Sequence, residues 1–427
     1  MSKKPTITLC MIVKDETHVI ERCLRSIAPY IDRYDITDTG STDGTPEKIK
    51  EILDELGIPG EVYLSDWKGF GDHAGKMGSR TEAFRNAEKS DAEYAWVIDA
   101  DDYVEGDFRF PDKMTADAYS LKIGRGDFTW WRNQLFKLSS KWTYKGVLHE
   151  YALSEVPKEN LVFSRIDGPY RVVARTEGAR NVGITPKEKY ERDAELLEKA
   201  LEEEPNNERY MFYLAQSYFD SHQWDKSLAA YERRAEAGGW QEEVYYAKLR
   251  CAIIKGIMEK PREEIAQAFL DSYNHKPDRA EPLWFLSRMY RMQGQPAIAY
   301  LYARMAADIP YPSNDILFIQ DDVYRWGVLD EIGATAAYAG KHQVGYQACK
   351  TLLDRNLVPD EHKERIIANL NSYTSILRQK TEQEQVQKLQ KIEIERQEKK
   401  LKKRQKVQNK KKSTKIPEKV GYKKRPK

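Results

Sequence analysis

The sequence predicts an α/β domain, then an all-α repeat domain and a basic tail. Three observations lead to this fold class. Short apolar segments near the N-terminus end at acidic clusters, aromatic and alanine residues recur at helical spacing after about residue 185, and the last fifty residues are rich in lysine. A chain of 427 residues is long enough for two domains and a tail.

The first predicted element is a buried strand at residues 7–13. Charged residues follow this apolar run at once, without the small-residue cleavage site of a signal peptide. Apolar residues then fall at helical spacing in segments 17–28 and 45–56, and Gly57 follows as a stop signal. Strands and helices that alternate in this way predict a parallel α/β sheet.

Two acidic clusters lie at the ends of apolar runs. Residues 38–43 follow Ile36, and residues 99–102 follow Trp96-Val97-Ile98. In α/β sheets, ligands usually bind where buried strands end. Carboxylates spaced D-x-D at such a position can hold a divalent cation, and the cation can clamp a diphosphate. This pattern favours the chemistry of a nucleotide-sugar enzyme.

Several ordered motifs in the first 150 residues resemble those of family 2 glycosyltransferases of the GT-A fold. The motifs are Leu9-Cys10-Met11-Ile12-Val13-Lys14-Asp15-Glu16, Arg22-Cys23-Leu24 with Ser26-Ile27, Asp38-Thr39-Gly40-Ser41-Thr42-Asp43-Gly44-Thr45, Arg80-Thr81-Glu82-Ala83, Ile98-Asp99-Ala100-Asp101-Asp102 and Trp142-Thr143-Tyr144-Lys145-Gly146-Val147-Leu148-His149-Glu150. The family more often has Asp-Asp-Gly-Ser at residues 38–41. The first aspartate of that pair is retained here.

The resemblance implies roles for residues of the donor site. Asp38 would contact the nucleotide base, and the main chain around Val13 and the side chain of Glu16 would lie near the nucleoside. Asp99 and Asp101 would form the D-x-D motif, with Asp102 beside them. An aspartate that binds a uracil edge favours a UDP-sugar as the donor.

The family is mostly inverting, so one general base must accept the proton of the acceptor hydroxyl. Glu150 is the candidate base. His149 is expected to ligate the metal or to steady the leaving phosphate, which gives a metal site of Asp101, Asp99, Asp102 and His149 for Mn²⁺ or Mg²⁺. The alternative interpretation is a packed histidine beside a solvated glutamate.

Arginines and aromatic residues extend this candidate site. The guanidinium groups of Arg80 and Arg132 suit a diphosphate or an acidic acceptor sugar, although each could also be a surface arginine. Trp142 and Tyr144 are expected to contact the acceptor, because aromatic faces stack on sugar rings. Aromatic side chains also fill cores, and that alternative stays open.

The glycine-rich segment 68–79 predicts a mobile loop, which is either a lid over the donor or a surface insertion. Gln320 and Arg325-Trp326 do not have the spacing of the Gln-x-x-Arg-Trp motif of processive synthases. The sequence also contains no apolar run of about eighteen residues. We therefore expect a soluble enzyme that transfers single sugars.

The predicted domains are a GT-A-like domain at 1–180, a helical domain at 181–377 and a tail at 378–427. Aromatic and alanine positions of the helical domain resemble tetratricopeptide repeats of roughly 34 residues, with Pro261 between two helices. Segment 176–194 also looks like bacterial-type enzymes that join this transferase to such repeats. The repeats either bind a protein partner or stiffen the catalytic domain.

The tail and the cysteines bear on the binding partners and the cellular compartment of the protein. Residues 378–427 contain 20 lysines and arginines and 6 glutamates, a net charge of +14 against +2 for the whole chain. Such a tail either contacts anionic lipid or nucleic acid or simply keeps the protein soluble. The four cysteines show no metal-binding spacing. We expect reduced thiols in a cytoplasmic, soluble protein, with peripheral membrane contact as an option.

The sequence thus predicts a metal-dependent, inverting, non-processive glycosyltransferase. Its acceptor is a glycan, a lipid or a protein. The alternative is a catalytically inactive transferase-like domain on a helical-repeat scaffold, and a third possibility is a nucleic-acid-associated protein recruited by its tail.

Overall fold

The structure is a computed structural model that describes residues 5–126 and 128–413, without the side chains of residues 128, 181, 408 and 410–413. The chain divides into two compact units, Met1–Lys260 and Pro261–Lys427. The helical part begins within the first unit. The domain boundaries predicted from the sequence stay predictions.

The first unit contains a large mixed sheet and a small two-stranded sheet. Its strands are β1 (Ile7–Val13), β2 (Arg33–Asp38), β3 (Gly60–Leu64), β4 (Tyr94–Val97), β5 (Tyr103–Gly106), β6 (Ala118–Arg125), β7 (Phe128–Lys137), β8 (Trp142–Lys145), β9 (Tyr151–Ser154), β10 (Phe163–Arg165) and β11 (Tyr170–Val173). Within the described residues the large sheet has nine strands in the order β3-β2-β1-β4-β7-β6-β11-β5, and β10 also pairs with β6. Strands β8 and β9 form the small sheet.

The first four strands of this order, β3, β2, β1 and β4, are parallel, as the alternation of strands and helices predicts. Strand β7 pairs antiparallel with both β4 and β6. The sheet is therefore mixed beyond the parallel strands that the sequence predicts. The physical reason is that β6 and β7 follow one another through a short connection, and a short connection joins antiparallel strands.

Seven helices follow or separate these strands in the described part of the first unit. They are α1 (Ile20–Ile27), α2 (Thr45–Glu55), α3 (Ser79–Ala87), α4 (Pro186–Glu203), α5 (Glu208–Asp220), α6 (Trp224–Ala237) and α7 (Gln241–Ile257). Helix α4 begins with a capping box, in which Thr185 and Glu188 satisfy each other's backbone N–H groups.

Both faces of the parallel strands are buried. Residues Leu9, Met11 and Val13 of β1 belong to one core cluster with apolar residues of α1 and α2. Cys10, which points to the opposite face, lies in a second cluster with Phe84 of α3. Helices on both faces cover a near-continuous apolar strand, and the strand's carboxyl end is then the place where polar groups meet.

The second unit is all-helical in its described residues. Its helices are α8 (Arg262–His275), α9 (Glu281–Met292), α10 (Pro296–Ala307), α11 (Val328–Thr335), α12 (His342–Asp354) and α13 (Asp360–Ser413). Ion pairs between partly exposed arginines and buried acidic residues tie these helices together. Arg291 of α9 binds Glu331 of α11 at 2.8 Å, and Arg365 of α13 binds Asp330 of α11 at 2.9 Å.

Residues 379–404 of the predicted tail are part of α13, where their side chains are exposed. The last part of the predicted tail, residues 414–427, lies outside the described residues. All four cysteines are described, and each is buried and unpaired. A search of the described helices finds none that is both long and apolar enough to cross a membrane.

Candidate active site

Asp38 ends β2 with one satisfied and one unsatisfied carboxylate oxygen. Its Oδ1 accepts hydrogen bonds from the backbone N–H groups of Gly40 at 3.0 Å and Ser41 at 2.9 Å. Its Oδ2 is buried and has no hydrogen-bond partner within the described residues. An unpaired buried carboxylate oxygen is costly. Asp38 is not among the residues that line the cavity described below, and its contact with a nucleotide base stays a prediction.

The loop after β1 is fastened to the loop after β2. Three side chain–backbone hydrogen bonds make this connection: Thr42 N to Asp15 Oδ1 at 2.7 Å, Glu16 N to Thr45 Oγ1 at 2.8 Å, and Thr17 N to Asp43 Oδ2 at 3.0 Å. The carbonyl of Val13 accepts from Thr39 N at 2.9 Å. These bonds fix the two loops where the parallel strands end.

A cavity of about 540 Å³ opens at this edge of the sheet, and we call it the donor cavity. Among the predicted donor residues, those that line it are Val13, Glu16, Arg80, Asp99 and Asp101. Trp67 and Phe70 of the glycine-rich loop and Arg180 also line it. The structure therefore brings most of the predicted nucleotide-sugar residues to one cavity.

The segment 177–179 covers two of the carboxylates with backbone amides. Asp101 Oδ2 accepts from the N–H groups of Glu177 at 2.9 Å and Gly178 at 3.0 Å, and Glu16 accepts from Ala179 N at 3.3 Å. Burial raises the pKa of Glu16 to about 7; the Ala179 hydrogen bond opposes this rise, and the charge of Asp101 adds to it. Glu16 is consequently poised to exchange a proton near neutral pH.

Two arginines neutralise the first aspartate of the D-x-D motif. Arg80 Nη2 donates to Asp99 Oδ1 at 2.7 Å, and Arg132 Nη1 lies 3.5 Å from Asp99 Oδ2. Burial raises the pKa of Asp99, but the charges of Arg80 and Arg132 outweigh burial and lower the pKa overall. Asp99 is therefore held as a carboxylate.

Asp102 lies behind the motif and is almost fully buried. It accepts from Arg175 N at 3.0 Å and from Arg132 Nη2 at 3.4 Å. Burial, followed by the negative charge of Asp99, raises the pKa of Asp102. These contacts join the end of the strand to segment 175–178. They indicate a structural role for Asp102.

Glu150 is joined to the D-x-D motif through Arg80. Arg80 Nε lies 2.5 Å from Glu150 Oε1, while its Nη2 binds Asp99. Both side chains of the Arg80–Glu150 pair are about 15% exposed or less. The guanidinium also lies 5.7 Å from the ring centre of Tyr144. The predicted base and the predicted donor site thus share one cation.

His149 and Glu150 lie in the loop of the hairpin formed by β8 and β9. His149 has a φ of 50°, a left-handed conformation that is uncommon for residues other than glycine. Its ring stacks on Tyr213 of α5 with ring centres 3.8 Å apart, and its carbonyl accepts from Arg209 at 3.0 and 2.6 Å. Helix α5 therefore fixes the loop that carries both residues.

A second cavity of about 670 Å³ lies beside Glu150, and we call it the acceptor cavity. Phe70, Arg80, Asp99 and Arg180 line both cavities. The other residues around the acceptor cavity are Trp130, Trp131, Arg132, Leu148, His149, Glu150, Lys189, Asp193, Arg209 and Tyr213. Two cavities that share a wall at Arg80 and Asp99 match what a transfer between two substrates needs.

The two predicted acceptor aromatics have different positions. Tyr144 lines a smaller cavity of about 270 Å³ together with Arg80, Asp99 and Glu150. Trp142 is 2% exposed and packs on Phe136, and its indole N–H donates to the Lys137 carbonyl. The structure does not bring Trp142 to any of the three cavities, which corrects its expected position. A large apolar indole gains more from burial in the core.

The predicted four-ligand metal site is not assembled. No group of three His, Cys, Asp or Glu side chains in the described part of the chain is placed to hold one ion. Asp102 is occupied by Arg132 and Arg175, and partial burial together with three nearby cations lowers the pKa of His149 to about 4. The four described side chains therefore do not form one cluster, and the metal role of His149 and of Asp102 stays a prediction.

A smaller donor set fits a metal better. The hydrogen bonds to Asp101 use its Oδ2, and its Oδ1 has no partner among the described residues. Mg²⁺ is often bound by one or two carboxylates together with substrate phosphates rather than by a complete protein cage. The chemistry of Asp101, with Asp99 two residues earlier in the chain, fits a cation held in that way.

The glycine-rich loop 68–79 is attached to the catalytic hairpin. Gly71 N donates to the Gly146 carbonyl at 3.1 Å, and Asp72 N donates to the Tyr144 carbonyl at 2.6 Å. A Cβ at Gly78 would lie 2.3 Å from the Gly71 carbonyl carbon. The loop therefore needs glycine for this close approach, and Phe70 brings it into both cavity walls.

Sequence reasoning missed the contribution of the helical region to the site. Lys189 lies on α4, and Arg209 and Tyr213 lie on α5, yet all three line the acceptor cavity. Leu148 of the hairpin loop is buried in a core cluster with Leu197 and other residues of these helices. The motif-like segment containing Arg180 and Lys189 was the one sequence signal for this wall.

Comparison with protein families agrees with the motifs. The family described as Glycosyl transferase family 2 matches residues 8–115. The resemblance predicted from the motifs is confirmed for this segment, which is a family 2 glycosyltransferase domain. The matched range contains Asp38, Arg80 and the D-x-D motif, and it ends before His149 and Glu150.

Other relatives are tetratricopeptide-repeat proteins. The chain is 39% identical over 61 residues to TPR repeat-containing protein Synpcc7942_0270 of Synechococcus elongatus, a match that spans 14% of each chain. The chain thus spans about a seventh of the length of the curated relative that it matches.

Two solved structures show a similar likeness. A crystal structure of MamA has a TM-score of 0.32 at 14% identity and covers 43% of this chain and 96% of that chain. The thermophilic TPR protein TTC0263 of Thermus thermophilus has a TM-score of 0.29 at 13% identity. This match covers 43% of the present chain and 91% of TTC0263. The expected fusion of a transferase domain to TPR-like helices agrees with the family match and with the TPR repeat-containing relative.

Proposed function

We propose that the protein is an inverting, non-processive glycosyltransferase that moves one sugar from a nucleotide-diphosphate sugar to a hydroxyl acceptor. The observation that carries the proposal is the Arg80 guanidinium, which joins Asp99 and Glu150 where the donor and acceptor cavities meet. The family 2 match of residues 8–115 supports the same reaction class.

In the proposed reaction, the acceptor hydroxyl oxygen forms a bond to the anomeric carbon from the side of the acceptor cavity. The bond between that carbon and the phosphate oxygen breaks, and its electron pair leaves with the nucleoside diphosphate. Glu150 accepts the hydroxyl proton. Arg80 lies between the two substrates, where its charge opposes the negative charge that develops on the leaving group.

A divalent metal, Mn²⁺ or Mg²⁺, completes the proposal. Asp101, with Asp99, would hold it together with the donor diphosphate, and it would supply further positive charge to the leaving group. Asp38, with its unsatisfied Oδ2, is proposed to accept a hydrogen bond from the base. We take a UDP-sugar as the leading donor; thymine and guanine also present an N–H group on their pairing edge, so dTDP- and GDP-sugars are the alternatives.

The donor is tested by calorimetric titration of UDP, GDP and dTDP with and without Mn²⁺. We expect one nucleotide to bind in a metal-dependent manner and the Asp101→Asn variant to lose the metal dependence. Circular dichroism establishes that the variant is folded. If folded wild-type protein binds none of the three nucleotides, the proposal is wrong.

The base is tested with Glu150→Gln, which keeps the shape of the side chain and removes its ability to accept a proton. We expect transfer to fall about 10²- to 10⁴-fold while nucleotide binding stays. The matched control is Glu155→Gln, which lies just after the same hairpin and is exposed. Equal transfer rates in Glu150→Gln and wild type would exclude Glu150 as the base.

The second candidate function is a binding scaffold with an inactive transferase-like domain. The helices of both units, together with the match to a TPR repeat-containing protein, favour this alternative. A folded protein that binds no nucleotide but captures a peptide partner on its helices would be explained by the scaffold.

A further inference from the structure

One wall of the acceptor cavity carries positive charge that nothing in the cavity balances. The cations that line the cavity are Arg80, Arg132, Arg180, Lys189 and Arg209, and the carboxylates are Asp99, Glu150 and Asp193. Each carboxylate pairs with one of the first three arginines. Arg180 binds Asp193 at 2.6 Å, and Arg80 binds the other two.

Lys189 and Arg209 are the cations left over. In the described residues neither has a carboxylate within ion-pair distance. Arg209 donates to the carbonyl of His149, and its guanidinium lies over the rings of Tyr151 and Tyr213. The ammonium of Lys189 lies 4.9 Å from the ring centre of Tyr190. Carbonyls and aromatic rings orient a cation without neutralising it. Asp220, which lies beyond ion-pair distance, interacts with the charge of Lys189 and offsets it only in part.

Unbalanced charge in a cavity attracts an anion more strongly than the same charge on an open surface. The reason is that the low-dielectric walls reduce solvent screening. Trp130 and Trp131 also line the cavity, and aromatic rings suit the apolar face of a sugar or an aryl group. The wall therefore combines an anion site with a stacking surface.

We propose that the acceptor carries an anionic group, a phosphate or a carboxylate, which binds at the wall formed by Lys189 and Arg209. This inference rests on the proposed glycosyl transfer and names the class of its second substrate. Lys189 and Arg209 line the acceptor cavity and do not line the donor cavity. This placement assigns the anion to the acceptor rather than to the diphosphate of the donor.

The test uses full-length protein and three small probes that share a phenyl ring: phenyl phosphate, phenyl glucuronide and phenyl glucoside. Binding is measured by saturation-transfer NMR in the presence of UDP. We expect at least one of the two anionic probes to bind about tenfold more tightly than the neutral glucoside. Which anion binds distinguishes a phosphate from a carboxylate, and raised salt weakens the interaction.

The variants are Lys189→Gln and Lys187→Gln. Lys187 lies two residues earlier on α4, does not line the cavity and pairs with Glu191 at 3.8 Å. We expect the first variant to bind the anionic probe about tenfold more weakly and the second to bind it as wild type does. Lys189→Glu should weaken binding further, because it reverses the charge.

Three results would overturn the inference. They are equal binding of anionic and neutral probes, no saturable binding of either anion, and loss of anion binding in Lys187→Gln to the same extent as in Lys189→Gln. A separate UDP titration tests the donor as the source of the anion. Loss of UDP binding in Lys189→Gln would assign the lysine to the donor, and absence of UDP binding by wild type would contradict the proposed function itself.

Discussion

At the residue scale, Arg80 connects the two halves of the candidate site. Its guanidinium binds Asp99 on one side and Glu150 on the other, and the side chain is 14% exposed. A lysine could not replace it, because one ammonium group cannot span two carboxylates with the planar geometry of a guanidinium. Arg80 is therefore one of the groups that set the position of the candidate base relative to the donor site.

Asp43 provides a pH-dependent test of the loops that frame the donor cavity. Although burial raises its pKa, hydrogen bonds from Thr45 and Thr17 lower it to about 2. Because the folded pKa is depressed, this stabilisation is fully present above the unfolded value near 4 and is lost as the pH falls toward 2.

We expect Asp43→Asn to lower the unfolding free energy at pH 7 by about 1 kcal/mol, a value discounted for the exposure of the carboxylate. The difference from wild type should shrink as the pH falls from 5 to about 2. Urea denaturation over this range measures it. Asp66→Asn, whose exposed carboxylate accepts no hydrogen bond from described residues, is the control, and a gap that stays constant with pH would contradict the account.

At this scale, site residues could be predicted from the sequence where a carboxylate directly follows a predicted buried strand. Asp38, Asp99 and Asp101 follow apolar runs, and the structure places them at one edge of the sheet. The prediction fails for Trp142, which the structure places in the core. An aromatic or a histidine near a motif has the same sequence pattern whether it packs in a core or lines a cavity, and only tertiary packing separates the two.

At the scale of elements, the glycine-rich loop 68–79 and the hairpin of β8 and β9 act as one piece. Backbone hydrogen bonds from Gly71 and Asp72 join the loop to Tyr144 and Gly146. The sequence did not decide whether this loop is a lid over the donor or a surface insertion. The observed bonds tie the loop to the element that carries Glu150, so a change in the loop is transmitted to the hairpin.

Gly78→Ala tests this connection. The new Cβ would lie 2.3 Å from the Gly71 carbonyl carbon, closer than any ordinary contact, so the loop must shift. We expect the unfolding free energy to fall by at least about 2 kcal/mol and transfer activity to fall with it. Thermal unfolding and an activity assay measure the two effects.

The matched control for that substitution is Gly256→Ala in α7. No heavy atom lies within 4 Å of a Cβ at this position. Alanine in a helix interior should stabilise the protein by about 0.5–1 kcal/mol, which is the opposite sign. If both substitutions had the same small effect, the close approach at Gly78 would not matter for stability.

The elements were predicted with uneven success for a physical reason. The apolar run at 7–13 gave the bounds of β1, and helical spacing gave α1 and α2 to within a few residues. Strand order and direction were not predicted beyond β4. Periodicity reports which face of a segment is buried, but it carries no information about which distant strand becomes its neighbour.

At the scale of the whole molecule, charge is distributed unevenly along the chain. Residues 378–427 carry a net +14, so the preceding 377 residues carry a net −12. The described side chains of α13 from Arg378 to Val407 are exposed, whereas Ile366 and Tyr373 earlier in the same helix are buried. The basic part of the helix therefore buries little apolar surface.

Deletion of residues 378–427 should accordingly change the unfolding free energy by less than about 0.5 kcal/mol. We expect the truncated protein to lose salt-sensitive binding to anionic lipid vesicles, since the basic residues are gone. Vesicle cosedimentation at two salt concentrations measures the binding. Unchanged binding after truncation would show that other surfaces carry it, and a large loss of stability would contradict the packing argument.

The hydrogen bonds from Arg209 to the His149 carbonyl have a consequence for how such proteins can be recombined. A gene cut at the end of the sheet would separate the hairpin that carries Glu150 from the helix that anchors it. The sheet region therefore cannot be exchanged between proteins as a separate unit cut at that position. A chimera with a new set of helices must inherit α4 and α5, or must reproduce their contacts, before its acceptor preference can be chosen independently.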